Sequence, residues 1–285
     1  MPELHLTSPA NPRLKALAAL RRRRGREESG LVLVEGFEEL SLAVAAGVRP
    51  RTLFHCPELM LDADRQGRLV ADLRGRGVET VRVSRAAFER VAYREGPDGF
   101  LAVVPAVARR LADLDLPPDP LVLVCEGVEK PGNLGAMLRT ADAAGVAAVV
   151  AVDPLTDWGN PNVVRASKGT VFALPVVTAT AGELLAWLAA SGIPLLATTP
   201  DTDALHTDAD YRGPVAVAVG TEKGGLSDTV LRAAAVRVRI PMRGRADSLN
   251  VATSAAVVLY EAVRQRLAGA AEGGDGPVRS TVGRV

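Results

Sequence analysis

Three runs after residue 120 carry no polar side chain: Leu121–Cys125, Ala147–Val152 and Val215–Val219. Each is five or six residues long, the length of a strand rather than a helix. A strand that is apolar on both faces has to be covered on both faces. Helix-spaced segments between the runs supply that cover, which predicts a mostly parallel sheet in an α/β unit. Further strands are predicted at Phe172–Val177, Pro194–Thr198 and Val236–Ile240, and helices at Asn133–Ala144, Asn162–Lys168, Ala181–Ala190, Asp228–Ala234 and Leu249–Leu267.

The first hundred residues form a second, smaller pattern. Asn11-Pro12 opens a helix with proline near its first position. It carries Leu14, Leu17, Ala18 and Leu20 and then runs into Arg21–Arg24 and Arg26, cations that a helix C-terminus favours. Strands are predicted at Leu31–Val34, Thr52–Phe54, Val78–Val83 and Phe100–Val104. Helices are predicted at Phe37–Ala46, Asp64–Leu73 and from Ser84, as its cap, to Val91. From Pro105 to Pro120 the proline-rich D-L-D-L-P-P-D-P text reads as a semi-rigid connector. The expected organisation is a small α/β domain over 1–104, a linker over 105–120, a larger α/β domain over 121–268 and a flexible tail over 269–285, in keeping with two domains in 285 residues.

Composition narrows the class. The chain is 48% hydrophobic with a net charge of +1, as in a soluble globular protein. Of 34 basic residues only Lys15, Lys130, Lys168 and Lys223 are lysines. That bias follows either from a GC-rich genome, since alanine is also abundant, or from selection for phosphate recognition by guanidinium groups. Cys56 and Cys125 lie far apart, and His5, His55 and His206 form no ligand cluster, so reduced thiols and no metal are expected. No apolar run approaches the ~18 residues of a membrane span, and no signal-peptide core opens the chain. A soluble, cytoplasmic protein without a membrane partner is the expectation.

Ligands of parallel α/β sheets bind beyond the carboxyl ends of the strands. Three such ends are polar here. Glu126–Arg139 (E-G-V-E-K-P-G-N-L-G-A-M-L-R) places a turn at Pro131-Gly132-Asn133, with Asn133 available as the next helix's cap. Leu134, Met137, Leu138 and Ala141 form that helix's apolar stripe, and Arg139 sits off it. Gly220–Ser227 (G-T-E-K-G-G-L-S) combines three glycines, which let backbone approach a ligand, with Glu222. Ile240–Ala262 runs from a strand end through Arg243, Gly244, Arg245, Asp247, Ser248 and Asn250 into an apolar helix. A Gly-x-Gly-x-x-Gly turn, a phosphate-binding Gly-x-x-x-x-Gly-Lys loop and a Gly-x-Ser-x-Gly elbow are all absent, which disfavours nicotinamide redox chemistry, phosphoryl transfer and acyl transfer.

In order along the chain, P-G-N-L-G-A-M-L-R-T-A-D-A-A-G, V-G-T-E-K-G-G-L-S and I-P-M-R-G-R-A-D-S-L-N-V-A-T-S-A-A-V-V-L-Y-E-A resemble the three signature motifs of the SpoU/TrmH family of the SPOUT superfamily, the ribose 2′-O RNA methyltransferases. N-P-R-L-K and L-V-E-G resemble the small RNA-binding domain often found ahead of that catalytic domain. The whole chain is most similar to large-subunit ribosomal RNA methyltransferases of actinomycetes that confer antibiotic resistance. The resemblance implies a C-terminal trefoil-knot domain with a mostly parallel sheet, a small N-terminal α/β RNA-binding domain and a homodimer through the C-terminal domain. It implies S-adenosyl-L-methionine as cofactor, held by Thr198, Thr199, Gly220, Ile240 and Leu249. It assigns catalytic positions to Arg139, Asn133, Glu222, Ser248 and Asn250. A tRNA substrate and a non-catalytic RNA-binding role are the alternatives.

Arg139 matches the family's catalytic arginine. A free guanidinium has a pKa above about 12, so an electrostatic clamp on a phosphate or a developing alkoxide suits it better than proton abstraction. Aromatic residues make up only 4% of the chain, which argues against a broad base-stacking platform. Arg13, Arg22, Arg23, Arg24, Arg165 and Lys168 are the candidate phosphate contacts of a ribosomal RNA partner.

Overall fold

The computed structural model describes residues 3–273. The tail expected from residue 269 therefore falls, from 274 on, outside the described residues. The N-terminal half runs β1 (Leu4–Leu6), α1 (Pro12–Leu20), α2 (Arg23–Ser29), β2 (Leu31–Glu35), α3 (Phe37–Ala45), β3 (Thr52–His55), α4 (Ala63–Gly75), β4 (Glu79–Val83), α5 (Arg85–Val91) and β5 (Phe100–Pro105). Its sheet has the order β1-β4-β3-β5-β2. β1, β4 and β3 are parallel, and β5 runs against both of its neighbours. The sequence pattern misses β1, because three residues with a single buried leucine give no period to read.

The arginine run does not end one helix. α1 stops at Leu20, and the chain turns at Arg21-Arg22 before starting α2. Gly25 makes this corner possible: a Cβ there would lie 2.2 Å from the Ala19 carbonyl oxygen. Asn11 caps α1, its side chain accepting from the Arg13 N–H at 2.9 Å. Ser84 precedes α5 as expected but makes no side-chain cap bond; its hydroxyl donates to the Thr7 carbonyl instead.

The C-terminal half runs β6 (Leu121–Glu126), α6 (Pro131–Ala143), β7 (Ala148–Val152), α7 (Pro161–Ala166), β8 (Val176–Ala179), α8 (Ala181–Ser191), β9 (Leu195–Thr198), β10 (Val215–Val219), α9 (Asp228–Ala233), β11 (Val236–Val238) and α10 (Val251–Gly273). The sheet order is β11-β9-β10-β6-β7-β8 and every pair is parallel. All residues of β6, β7 and β10 are buried, as runs apolar on both faces require. The strand expected over Phe172–Val177 is split. Thr170–Phe172 forms a buried 3₁₀ turn, and β8 starts only after Pro175, which has no N–H for a ladder. α10 is less buried than its composition implies. Val251, Ala255, Val258, Leu259 and Ala262 face the core, while Tyr260 and Leu267 are half-exposed. Among the described residues no helix is long and apolar enough to cross a membrane.

The proline-rich segment is docked rather than free. Arg109 bridges to Val177, and Leu111, Leu114 and Leu116 pack on the apolar cluster under β6 and β7. Both free cysteines are buried, and burial pushes the Cys125 thiol up to about 12 and the Cys56 thiol up to about 11. Neither is a thiolate near neutrality.

The two sheets share one continuous core. Val32, Val34, Phe37 and Leu40 belong to the same buried cluster as Trp158, Val163, Val164 and Phe172. Backbone approach is close on both sides of α7. A Cβ on Gly159 would sit 2.3 Å from a Val32 methyl. Gly169, at φ +85°, would place one 2.9 Å from the Glu39 carbonyl. Beside this junction Arg26 is 5% exposed. Its Nε donates to Asp157 at 2.9 Å and its NH1 to the Leu20 carbonyl at 3.0 Å.

Removing one partner of a buried pair leaves an uncompensated charge, at a cost of about 3–5 kcal/mol. Asp157 is partly solvated, so Asp157→Asn should cost about 3 kcal/mol, at the low end of that range. Urea unfolding followed by circular dichroism measures it. A midpoint equal to that of the parent would show that the ion pair does not hold the junction.

Candidate active site

Parallel register sets the level of the site. β10 lies on β6 with Val215 opposite Leu121 and Val219 opposite Cys125. Gly220, the first residue past β10, therefore lies beside Glu126, the last residue of β6. Glu126 is buried, and its carboxylate accepts from the Ser227 N–H at 2.8 Å and the Ser227 hydroxyl at 2.6 Å. This ties the far end of the glycine loop back to the sheet. Within the loop, Thr221 and Gly225 exchange backbone hydrogen bonds at 2.9 and 3.0 Å. Gly220 has to be glycine, since a Cβ would fall 2.1 Å from the Gly225 carbonyl carbon. The resulting tight loop holds Glu222 out over the strand ends.

α6 starts earlier than the sequence predicts. Pro131 takes the first helical position, where its fixed φ and missing N–H are tolerated, and Lys130 occupies the cap. Asn133 is thus not the cap but the third helical residue, and its side chain is released for another task. Its amide donates to Glu222 Oε1 at 2.8 Å. Asn250 arrives from the third motif, where its Oδ1 accepts from the Ala252 N–H at 2.9 Å at the start of α10. Its amide donates to the same Glu222 oxygen at 2.9 Å and to Asn133 Oδ1 at 3.2 Å. Lys130 completes the group by an ion pair with the other Glu222 oxygen. The Lys130 hydrogen bond, then those of Asn133 and Asn250, hold the Glu222 carboxyl below the usual carboxylate range. Three motifs spread over 117 residues of sequence, from Asn133 to Asn250, thus meet at one carboxylate. Lys130 was missed in the sequence, where Lys223 stands next to Glu222 and Lys130 does not. Its signal was the cation immediately before a proline-led helix start.

The other assigned positions distribute over two clefts. Thr198, Thr199, Ile240 and Leu249 line a cleft of about 110 Å³ beyond β9 and β11, together with Val238 and Ser248. Gly220 lies instead in a neighbouring cleft of about 140 Å³ with Lys130, Asn133 and Glu222. Ser248 is not part of the Glu222 group: its hydroxyl donates to Asp247 at 3.1 Å. Arg239 lines the first cleft, and its Nε is buried without a hydrogen-bond partner among the described residues. Arg139 lies outside both clefts, exposed on α6, and its guanidinium has no hydrogen bond or ion pair among the described residues. The buried stripe of Leu134, Met137, Leu138 and Ala141 faces the core behind it. Gly135 lets α6 and α7 meet, as a Cβ would stand 2.5 Å from that of Ala166.

The basic candidates are scattered. Arg13 pairs with Glu79 at 2.5 Å, Arg23 with Glu27 at 2.7 Å and Arg24 with Glu28 at 2.6 Å, all on the surface. Arg22 is exposed at the start of α2. Arg165 and Lys168 are exposed in and just after α7, Lys168 with φ +54°.

Comparison with known proteins assigns this arrangement to a family. Residues 120–260 match the SpoU rRNA methylase family, and residues 11–102 match the MRM3-like substrate binding domain. The chain is 34% identical to the 23S rRNA (uridine(2479)-2′-O)-methyltransferase of Streptomyces viridochromogenes, over 88% of this chain and 89% of that one. A crystal structure of an RNA 2′-O ribose methyltransferase superposes with a TM-score of 0.80 at 42% identity, covering 93% of this chain and all (100%) of the other. An AdoMet-bound rRNA methyltransferase from Sinorhizobium meliloti superposes with a TM-score of 0.83 at 30% identity, covering 91% and 97%. The chain, with its N-terminal substrate-binding domain and parallel-sheet methylase domain, belongs to the SpoU rRNA methylase family of SPOUT RNA methyltransferases.

Proposed function

We propose that this protein transfers a methyl group from S-adenosyl-L-methionine to a ribose 2′-hydroxyl of large-subunit (23S) ribosomal RNA. The observation that carries the reading is the convergence of Asn133, Glu222 and Asn250 beside a partly apolar cleft at the strand ends. The residues present fit the cofactor. Val238, Ile240 and Leu249 supply apolar walls for an adenine, and the buried orphan Nε of Arg239 is a donor at the same cleft. When bound, the cofactor supplies a methyl group already activated on a sulfonium. The protein's own work is then alignment and charge.

Glu222 orients two amides at once. With Asn133 and Asn250 both donating to Oε1, the remaining amide oxygens and lone pairs are fixed in direction before substrate arrives. These groups orient the ribose. Arg139, unpaired among the described residues, holds a phosphate and the oxygen that becomes negative as the hydroxyl reacts. The half-exposed Tyr260 and Leu267 on α10 support a homodimer through the C-terminal domain, and the path from β11 into α10 is read as threaded in a trefoil knot. Work on ribosomal RNA fits a cytoplasmic enzyme. The finer reading, protection of the ribosome from an antibiotic such as avilamycin, is tested by expression in a sensitive host and measurement of growth under drug.

The central experiment incubates the protein with labelled cofactor and unmodified 23S ribosomal RNA. Reverse-transcription stops at limiting nucleotide then map the product. One strong stop at a ribose is expected; label confined to a base, or no label, overturns the reading. Arg139→Ala should abolish methylation while cofactor affinity, by calorimetry, stays within a few-fold.

Glu222→Ala releases both amides, and a misplacement of about 1 Å in such a site costs on the order of 100-fold in rate. That loss in kcat with an unchanged circular dichroism spectrum is the expected result. The depressed Glu222 carboxyl has a definite pH consequence. Its contacts exist above its unfolded pKa of about 4.3 and are lost only as pH falls through the lower folded value. The pH–rate profile should therefore show no Glu222 limb above about pH 5.

A further inference from the structure

One cleft belongs to neither strand-end site and is lined by both halves of the chain. Arg21 enters it from the corner after α1, Glu35 from the end of β2, Tyr93 and Arg94 from the loop between α5 and β5, and Arg165 from α7. We infer that this cleft anchors one unpaired nucleotide of the RNA, its phosphate held by Arg94 and Arg165 and its base stacked on Tyr93. The inference rests on the reading of the protein as an RNA-modifying enzyme and adds a recognition point away from the reacting ribose.

Charge comes first. Three guanidinium groups face one carboxylate, and that carboxylate is already engaged: Glu35 accepts from the Tyr93 N–H at 2.9 Å and the Arg94 N–H at 3.1 Å. Burial pushes its carboxyl above the usual range, against the pull of the two backbone N–H groups and of Arg21 and Arg94. The Arg165 guanidinium makes no hydrogen bond or ion pair with any described residue. Arg94 reaches an acid only at 3.7 Å, in Asp98. Arg21 donates to the Val91 carbonyl through one terminal nitrogen, while its Nε is buried without a partner among the described residues.

Size decides which part of a nucleotide enters. The cleft offers about 20 Å³, enough for a water or a phosphate oxygen but not for a base. A base has to lie outside, and Tyr93 is there: 45% exposed, with the Arg21 guanidinium 5.7 Å from its ring centroid. A ring backed by a cation presents a stacking surface that every base can use. The scarcity of aromatic residues excludes a platform for several bases, not a slot for one. The cleft walls are also rigid. Arg26, bound to Asp157, pins the loop before α7 to the helix that follows Arg21, so the separation of Arg21 and Arg165 is set by the domain junction.

The test uses the full chain with two probes, an unmodified 23S rRNA transcript and unmodified tRNA, in fluorescence anisotropy across a salt series. Tyr93→Ala should weaken binding of the preferred RNA about tenfold, within the range known for one stacked base. Tyr93→Phe, which keeps the ring, should stay within about twofold. Arg165→Ala should lower the slope of log affinity against log salt by about 0.7–0.9, one phosphate contact. In methylation assays Tyr93→Ala should raise KM for RNA more than it lowers kcat. Cofactor affinity equal to the parent's confirms that each variant is folded. Parent-like affinity and slope in both Tyr93→Ala and Arg165→Ala overturns the anchor. Should tRNA prove the tighter ligand, and Tyr93→Ala weaken it, the anchor stands and the ribosomal substrate reading falls.

Discussion

Six strands that all run the same way must finish along one edge. Every loop leaving a strand end then competes for the same space, and that constraint builds the site of this protein. β6 and β10 are in register, so the loop after one can be fastened to the end of the other, as Glu126 fastens Ser227. An antiparallel partner would have sent one of these loops to the opposite edge. Glu222, Asn133 and Asn250 would then have no common point to meet. The loop depends on that register, because a one-residue slip of β10 against β6 would carry Ser227 away from Glu126.

At that edge a single carboxylate does the organising. Glu222 is exposed enough to stay ionised, and its lowered pKa is a consequence of collecting a lysine and two amides. Neutral amides can point either way; one bonded to an ionised oxygen cannot flip without losing that bond. The group thus converts three flexible polar side chains into a fixed pattern of donors and acceptors. Arg139 stays outside this pattern, free of partners among the described residues, which keeps its charge available to a ligand.

The chain's alternating apolar runs made the parallel sheet legible, and the three polar strand ends marked the edge where function lies. What could not be read depends on contacts between distant segments. β1 is too short to show a period. Proline at the start of α6 moved the helix boundary two residues and freed Asn133, which local capping rules had already spent. Lys130 reached Glu222 across the sheet edge, while Lys223 stood next to it in sequence. The linker's leucines looked like spacing between prolines until β6 and β7 gave them a surface. Arg26 was one basic residue in a run of solvated ones. Only the approach of Asp157, over a hundred residues away, singles it out.

The seam between the two halves has a further consequence for how such enzymes can be recombined. Gly159 and Gly169 lie in the methylase half but are shaped by Val32 and Glu39 of the other. Exchanging the N-terminal half alone would bring a foreign surface against two glycines cut for this one, and would strand Asp157 opposite an unmatched partner. A working chimaera has to carry residues 157–169 along with the N-terminal half. The N-terminal half is therefore not separable at the proline-rich connector alone, because its socket lies within the methylase fold.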